Sequence, residues 1–422
     1  MLGATFRARA LLAALSLTLF VAPARAQEAA KPTTTEAPAL SKEVKEEVLA
    51  ELEKIVTKQA FVPGVDLVKW PEFVAKQREA IDKAEKDTEF TRAVNSALRD
   101  FGISHIRFIN PRAAKTRRQT TTIGVGLNGR PEDGGVRVTY VFPKSPAGEA
   151  GVKEGDLITL VDGKAPESAA ILTGEDGTEV ILKVKGADGQ EREHKLKRRP
   201  YSVSRPDTLR WIGDDAAVIK IHSFAKGYER NAIQQLLTDA SKAKYLVLDL
   251  RSNGGGAVAN LQHLLGLLLP PETEVGTFVN RRTAEMYAEK NGGKVENDPI
   301  LLAKDASRRY RTRRQPIEPF KGKIAVLINR GSASASEICA SALREHLSAP
   351  IVGTRSAGAV LASVFGRLPH GYEIQYPISD YVSKNGVRLE KNPILPDVEV
   401  TERAEGDKDP AVEKALERLR SK

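Results

Sequence analysis

Between residues 40 and 101 the apolar positions recur with helical spacing. Val44, Val48, Leu52, Ile55 and Val56 mark one amphipathic face. Phe73, Ile81 and Ala84 suggest a second helix, and Phe90, Ala93, Val94, Ala97, Leu98 and Phe101 mark a third. Gly102 stops that helix, and Ser104-His105 opens an extended segment. Further along the pattern changes. Ala216 to Phe224 reads as a strand, and Tyr245–Leu250 and Ile324–Ile328 are apolar runs of buried-strand type. Each of these last two runs leads through a turn into a helix. Arg251-Ser-Asn-Gly-Gly-Gly256 precedes the helical stretch 257–269, and Asn329-Arg-Gly331 precedes the helix-forming stretch 333–347. Strands recur at 350–354, 360–368 and 371–383, and residues 270–322 look like an irregular insertion. Asp409-Pro410 caps a final amphipathic helix carrying Val412, Ala415, Leu416 and Leu419.

The two strand–turn–helix units carry the candidate chemistry. In parallel sheets such turns collect at the carboxyl ends of the strands, so the two can face one site. In the second unit, Gly331-Ser-Ala-Ser-Ala-Ser-Glu-Ile338 puts serine at a helix N-terminus. Free backbone N–H groups and the helix dipole there favour negative charge, which suits a nucleophile beside donors aimed at a developing oxyanion. The same spacing has a reading without chemistry, because Ser334-x-x-Glu337 is also a capping box. Likewise the Gly254-Gly255-Gly256 turn could serve steric needs alone; no Gly-Lys-Ser/Thr follows it, which argues against a phosphate loop.

Composition narrows the class. A hydrophobic share of 41% and a charged share of 28% are ordinary for a globular chain, and 422 residues leave room for several domains. The formal charge of +10 favours anionic surroundings, but no nucleic-acid motif accompanies it, so a generally basic surface suffices. The single cysteine, Cys339, excludes an intrachain disulfide and a cysteine-based metal site. The six histidines lack metal-ligand spacing, so neither a metal nor a cofactor is expected. Residues 1–26 read as a secretory signal peptide, with Arg7 and Arg9, an apolar stretch from Ala10 to Ala22, and Ala24-Arg25-Ala26 at the cleavage site. No later segment reads as a membrane span, which points to an exported protein, secreted or periplasmic.

Two resemblances extend this reading. Ser145-Pro-Ala-Gly-Glu-Ala-Gly-Val-Lys-Glu-Gly-Asp-Leu-Ile-Thr-Leu-Val-Asp-Gly163 resembles a PDZ domain, with Ile123, Gly124, Val125, Gly126 and Leu127 as its carboxylate-binding loop. Such a loop turns backbone N–H groups toward a peptide's terminal carboxylate. Gly124-x-Gly126-x-x-Gly129 also fits a dinucleotide fingerprint, but no βαβ unit surrounds it, and Asp133-Gly-Gly reads as a hairpin turn. The serine turn resembles that of the carboxyl-terminal processing, or tail-specific, peptidases. That resemblance implies Ser334 as nucleophile and Gly254 or Gly255, with the Ala335 N–H, as oxyanion donors. Gly386 to Asp397 resembles the family's closing segment.

The family's base is a lysine 25 residues after the serine, and here that position is Ala359. Alanine accepts no proton, so either the protein is inactive or another base serves. The core of tricorn protease, which resembles this chain's plan, also lacks the lysine. The resemblance implies His105 as base, with Ser104 beside it and Glu390 completing the set. His222, Lys220 and His370 remain other candidates.

The whole is therefore expected to be an α/β multidomain protein. It comprises a signal peptide (1–26), a linker (27–39), an N-terminal helical region (40–119), a PDZ domain of strands with short helices (120–198), an α/β serine peptidase core with a mixed sheet (199–405) and a C-terminal helix (406–422). Its expected partners are polypeptides, as C-terminal tails or unfolded segments; no nucleic acid and no membrane span are expected. The alternative function is a catalytically silent peptide-binding protein, and a carrier of apolar ligands is a third, since retinoid-binding relatives share this core.

Overall fold

A computed structural model describes residues 40–118, 121–166, 168–402, 404 and 408–421. The expected signal peptide and linker lie outside the described residues. Residues 40–422 form one compact unit.

At its centre lies a six-stranded sheet. Its strand order is Val398–Glu399, Ile351–Gly353, Lys323–Ile328, Tyr245–Asp249, Ala216–Lys220 and Thr208–Ile212. The first five strands are mutually parallel and the last is antiparallel. Strands buried on both faces need apolar residues at nearly every position, which is why Ile324–Ile328 reads as an unbroken run. The helices Val258–Leu268 and Ala335–Leu347 pack on one face, in a core that includes Leu248, Leu264, Val326, Cys339 and Leu343. The other face is covered by Pro410–Arg420 through Val412, Ala415, Leu416 and Leu419. Asp409 caps that helix, accepting from the N–H groups of Ala411 and Val412.

A second, antiparallel sheet is built around the long strand Glu373–Ser383. Arg107–Ile109, Glu274–Asn280 and Ala362–Arg367 all pair with it. The N-terminal helices rest on this sheet: Phe90 meets Phe108 edge-on at 5.4 Å, and Phe108 stacks on Tyr372 at 5.1 Å. The helix Asp87–Phe101 ends at Gly102, whose φ of 72° supplies the left-handed cap. The chain then turns through Ser104-His105 into the strand Arg107–Ile109, so the termination of one helix sets where the histidine enters the core.

Residues 121–202 fold around a core of their own, with Val136, Val138, Ile158, Val180 and Leu182 at its centre. Their five antiparallel strands run in the order 127–132, 135–141, 157–161, 179–185 and 191–197, and 121–124 pairs separately with 199–202. Asp133-Gly134 makes the first hairpin turn, with Gly134 at φ 84°.

The stretch 270–322 differs from the irregular insertion expected. It holds the strand Glu274–Asn280, the helices Arg281–Lys290 and Pro299–Asp305, and the short strand Tyr310–Arg311. The first helix buries no residue fully; its half-buried face is made of Thr283, Ala284, Tyr287 and Ala288, which is too weakly apolar to stand out in the sequence.

Candidate active site

The two central parallel strands end level, Asp249 opposite Leu327, and the turns that follow them are stitched together. Asn329 Oδ1 accepts from the Ser252 N–H at 2.8 Å, and the Ala333 N–H donates to the Asn253 carbonyl at 3.1 Å. The three serines of the turn divide the work. Ser332 donates its hydroxyl to the Leu250 carbonyl at 2.8 Å, and Ser336 donates to the Asn253 carbonyl at 2.8 Å. The hydroxyl of Ser334, between them, makes no hydrogen bond among the described residues. Two serines thus fasten the turn to its neighbour and the third presents a free hydroxyl.

Ser334 sits at φ 57°, ψ −118°, a conformation that side chains disfavour. Its N–H is held by the Ala359 carbonyl at 2.8 Å and by Glu337 Oε2 at 3.1 Å. The capping reading therefore holds for Glu337, while the Glu337 N–H returns to the Ser334 carbonyl at 2.9 Å and leaves the hydroxyl free. Glu337 also accepts from Ser356 Oγ at 2.5 Å and from the N–H groups of Gly358 at 2.8 Å and Ala359 at 3.0 Å. Burial pushes its carboxyl up, and these four donors oppose that rise by favouring the carboxylate.

The glycine loop presses directly on the serine. A Cβ at Gly255 would fall 2.7 Å from Ser334 Cβ, and Gly255 has φ 89°, so no other residue fits. The loop is anchored by Asp249, whose carboxylate holds Arg251 and Lys220, while Arg251 reaches on to Asp409. Burial alone would raise Asp249, but the two cations outweigh it and hold the carboxyl low. Of the expected oxyanion donors, Gly255 differs from expectation: its N–H is committed to Asn253 Oδ1 at 2.9 Å. The N–H groups of Gly254 and Ala335 donate to no described residue.

Residues 104, 105 and 390, far apart in sequence, come together. Ser104 Oγ donates to Glu390 Oε2 at 2.9 Å and lies 2.9 Å from His105 Nδ1. Because the hydroxyl proton goes to the carboxylate, Nδ1 must be the donor to Ser104 Oγ, which leaves Nε2 with a lone pair. Glu390 is buried and takes a further N–H from Val360 at 2.8 Å, next to the Ala359 carbonyl that holds Ser334. Burial lowers the His105 pKa from its ordinary value, and Glu390 partly offsets the drop. No hydrogen bond joins His105 to Ser334 among the described residues; the connection runs through Ala359, Val360 and Glu390.

The other candidate bases are placed in other contacts. Lys220 is paired with Asp249 at 2.9 Å, and His370 pairs with Glu47 at 2.7 Å near the surface. His222 is depressed to about 4 by burial, with Lys220 and Arg205 adding to the effect. In the loop 123–127, the Val125 N–H faces the Leu172 carbonyl at 3.4 Å, and Gly126 lies against Ser145, where a Cβ would collide. Val125 is thus withdrawn from the set of free donors expected for a carboxylate. Among the described residues no cluster of ligating side chains could hold a metal ion.

A serine at a strained strand-to-helix turn, with helix-start amides beside it, is the layout used by hydrolases that act through an activated hydroxyl. Residues 215–400 match the sequence model of peptidase family S41. The chain is 29% identical over 354 residues to the chloroplastic C-terminal processing peptidase of Tetradesmus obliquus, covering 77% of this chain and 70% of that one. It is 25% identical over 372 residues to the tail-specific protease of Haemophilus influenzae, covering 79% of this chain and 50% of that one. Several curated relatives are thus matched over only about half their length. Among solved structures, mature CPAF complexed with lactacystin superposes with a TM-score of 0.54 at 14% identity, covering 90% of this chain and 98% of that one. Tricorn protease gives 0.51 at 18% identity, covering 89% of this chain and 37% of that one. At these identities the likeness is one of fold.

Proposed function

We propose that the protein is an exported serine-type endopeptidase that cleaves unfolded or C-terminally presented polypeptides through an acyl-enzyme at Ser334. The observation that carries this is the Glu390–Ser104–His105 chain of hydrogen bonds, which leaves Nε2 of His105 as the basic nitrogen. In the reaction His105 Nε2 takes the Ser334 proton as Oγ attacks the scissile carbonyl. Ser104 and Glu390 keep the ring in that tautomer and stabilise the imidazolium. The Gly254 and Ala335 amides receive the oxyanion, and His105 returns the proton to the departing amine. Water then repeats the sequence to release the acyl group. The negative charge that develops is the oxyanion's, and the imidazolium that forms lies one hydroxyl, that of Ser104, from the Glu390 carboxylate.

The domain 121–202 serves as a capture module. Its edge strand Leu127–Glu132 pairs on only one side among the described residues, and an extended peptide can add to the other as a further strand. The resemblance of residues 1–26 to a signal peptide supports export.

Incubation with a fluorophosphonate, followed by mapping of the adduct, tests the reading. Label on Ser334 that disappears in Ser334→Ala and falls sharply in His105→Ala supports it. The replacement of the family lysine by Ala359 favours a second reading, a catalytically silent peptide-binding protein. An unlabelled wild type that still binds peptides would establish that alternative instead.

A further inference from the structure

The segment 270–322 lines a half-open cavity of about 670 Å³ that the proposed chemistry does not use. Phe278, Met286 and Tyr310 line it. Phe278 is only half-buried, although Val275, Gly276, Thr277 and Val279 of its strand are all buried. Met286 is 43% exposed, off the half-buried face that Ala284 and Tyr287 turn toward the core. Folding does not account for an unbranched apolar side chain held open in that place. A flexible thioether opposite two aromatic rings accommodates apolar groups of varied shape.

Two independent routes bound the distance from this cavity to Ser334. Tyr310 Oη donates to the Val258 carbonyl at 3.0 Å, and Val258 opens the helix that follows the Gly254–Gly256 loop. At most about 11 Å of backbone separates Gly255, against the serine, from Val258. On the other side, Asn280 at the cavity and Ala362 both pair with Ser379, from opposite edges of its strand. Two strand spacings put Asn280 about 10 Å from Ala362, which follows closely on the Ala359 and Val360 contacts. Each route amounts to about 20 Å at most, so at about 3.3 Å per extended residue the cavity is in reach of a substrate residue within about six positions of the scissile bond.

The rim is cationic. Arg282 pairs with Glu289, Lys290 with Asp305, and Arg309 with Glu274. Arg308 has no acidic partner among the described residues. Resting on the peptidase reading, we propose that this cavity is a specificity subsite. It takes a large aliphatic or aromatic side chain of the substrate against Phe278, Met286 and Tyr310, with an acidic neighbouring residue on Arg308.

The test uses the full chain. Fluorescein-labelled peptides that vary one residue at a time are titrated against Ser334→Ala protein, and the quenched equivalents are assayed for kcat/KM with active enzyme. The expected result is tighter binding, by about 10-fold or more, when Leu or Phe replaces Ser at one position, and further tightening by an adjacent Asp or Glu. Met286→Glu should erase the first preference and Arg308→Glu should reverse the second, each through KM with kcat little changed. Circular dichroism reports whether either variant is folded. Identical preferences in the two variants and the parent overturn the subsite. Hydrolysis without any such discrimination also sinks the subsite but leaves the peptidase standing. Discriminating binding by a wild type that cleaves nothing does the reverse.

Discussion

Two turns at the ends of neighbouring parallel strands meet the same demand for a left-handed backbone and meet it differently. After Tyr245–Asp249 the residue against the neighbouring turn is Gly255, whose φ of 89° meets no side chain, although Ser252 earlier in the same turn stands at 62°. After Lys323–Ile328 it falls on Ser334 at 57°, although Gly331 stands three residues away. Holding a residue with a side chain there costs about 1–3 kcal/mol. The surroundings impose it: Ser332 and Ser336 pin the flanks, while Ala359 and Glu337 take the Ser334 N–H. At the point of contact Gly255 is therefore relaxed and supplies shape, whereas Ser334 is strained and supplies a hydroxyl with no competing hydrogen bond. Strain concentrated on one side chain that bonds to nothing is a mark of use rather than of folding.

The largest effect on this contrast should come from Ser334→Ala. Peptide cleavage should fall about 10⁴-fold or more, with thermal unfolding little changed. Next, His105→Ala should cost about 10²–10⁴-fold in kcat/KM. In the parent the acid limb of the pH profile should lie below 6.5. The imidazole must be neutral to accept the proton, and burial lowers its pKa, so the neutral form persists to lower pH than in a free histidine. A midpoint above 6.5 would argue against His105.

Gly255→Ala attacks the relaxed residue. Its Cβ would meet Ser334 Cβ at 2.7 Å, so activity should drop about 10²-fold and stability by about 1–3 kcal/mol in a denaturant titration. The smallest effect is the most direct measure of strain. Ser334→Gly should stabilise the fold by about 1 kcal/mol, because glycine accepts this φ and offsets only part of the gain with its greater freedom when unfolded. No gain would mean that the serine turn is not strained.

How much of this was legible beforehand depended on range. Ile324–Ile328, Tyr245–Leu250 and the Gly102 stop follow from local pattern, and each lies where the sequence places it. The helix Arg281–Lys290 escaped because its half-buried face, Thr283, Ala284, Tyr287 and Ala288, holds no large aliphatic side chain to mark the period. The contact between Ser104 and Glu390 spans 286 residues, and no spacing rule reaches that far. It could be approached only through likeness to other chains. The commitment of the Gly255 N–H to Asn253 escaped for a finer reason, since a short Asx-type bond depends on dihedral angles that residue identity leaves open.

One peptide group joins the two halves of the proposed machinery. The Ala359 carbonyl grips the serine and the Val360 amide grips Glu390, and these are opposite ends of one planar unit that resists twisting. It behaves as a rigid lever: tilting it shifts the attacking group and the distant acid in concert. Because both grips are backbone, the side chain at position 359 has no part in them. The absent lysine can therefore be tolerated there without loosening the linkage.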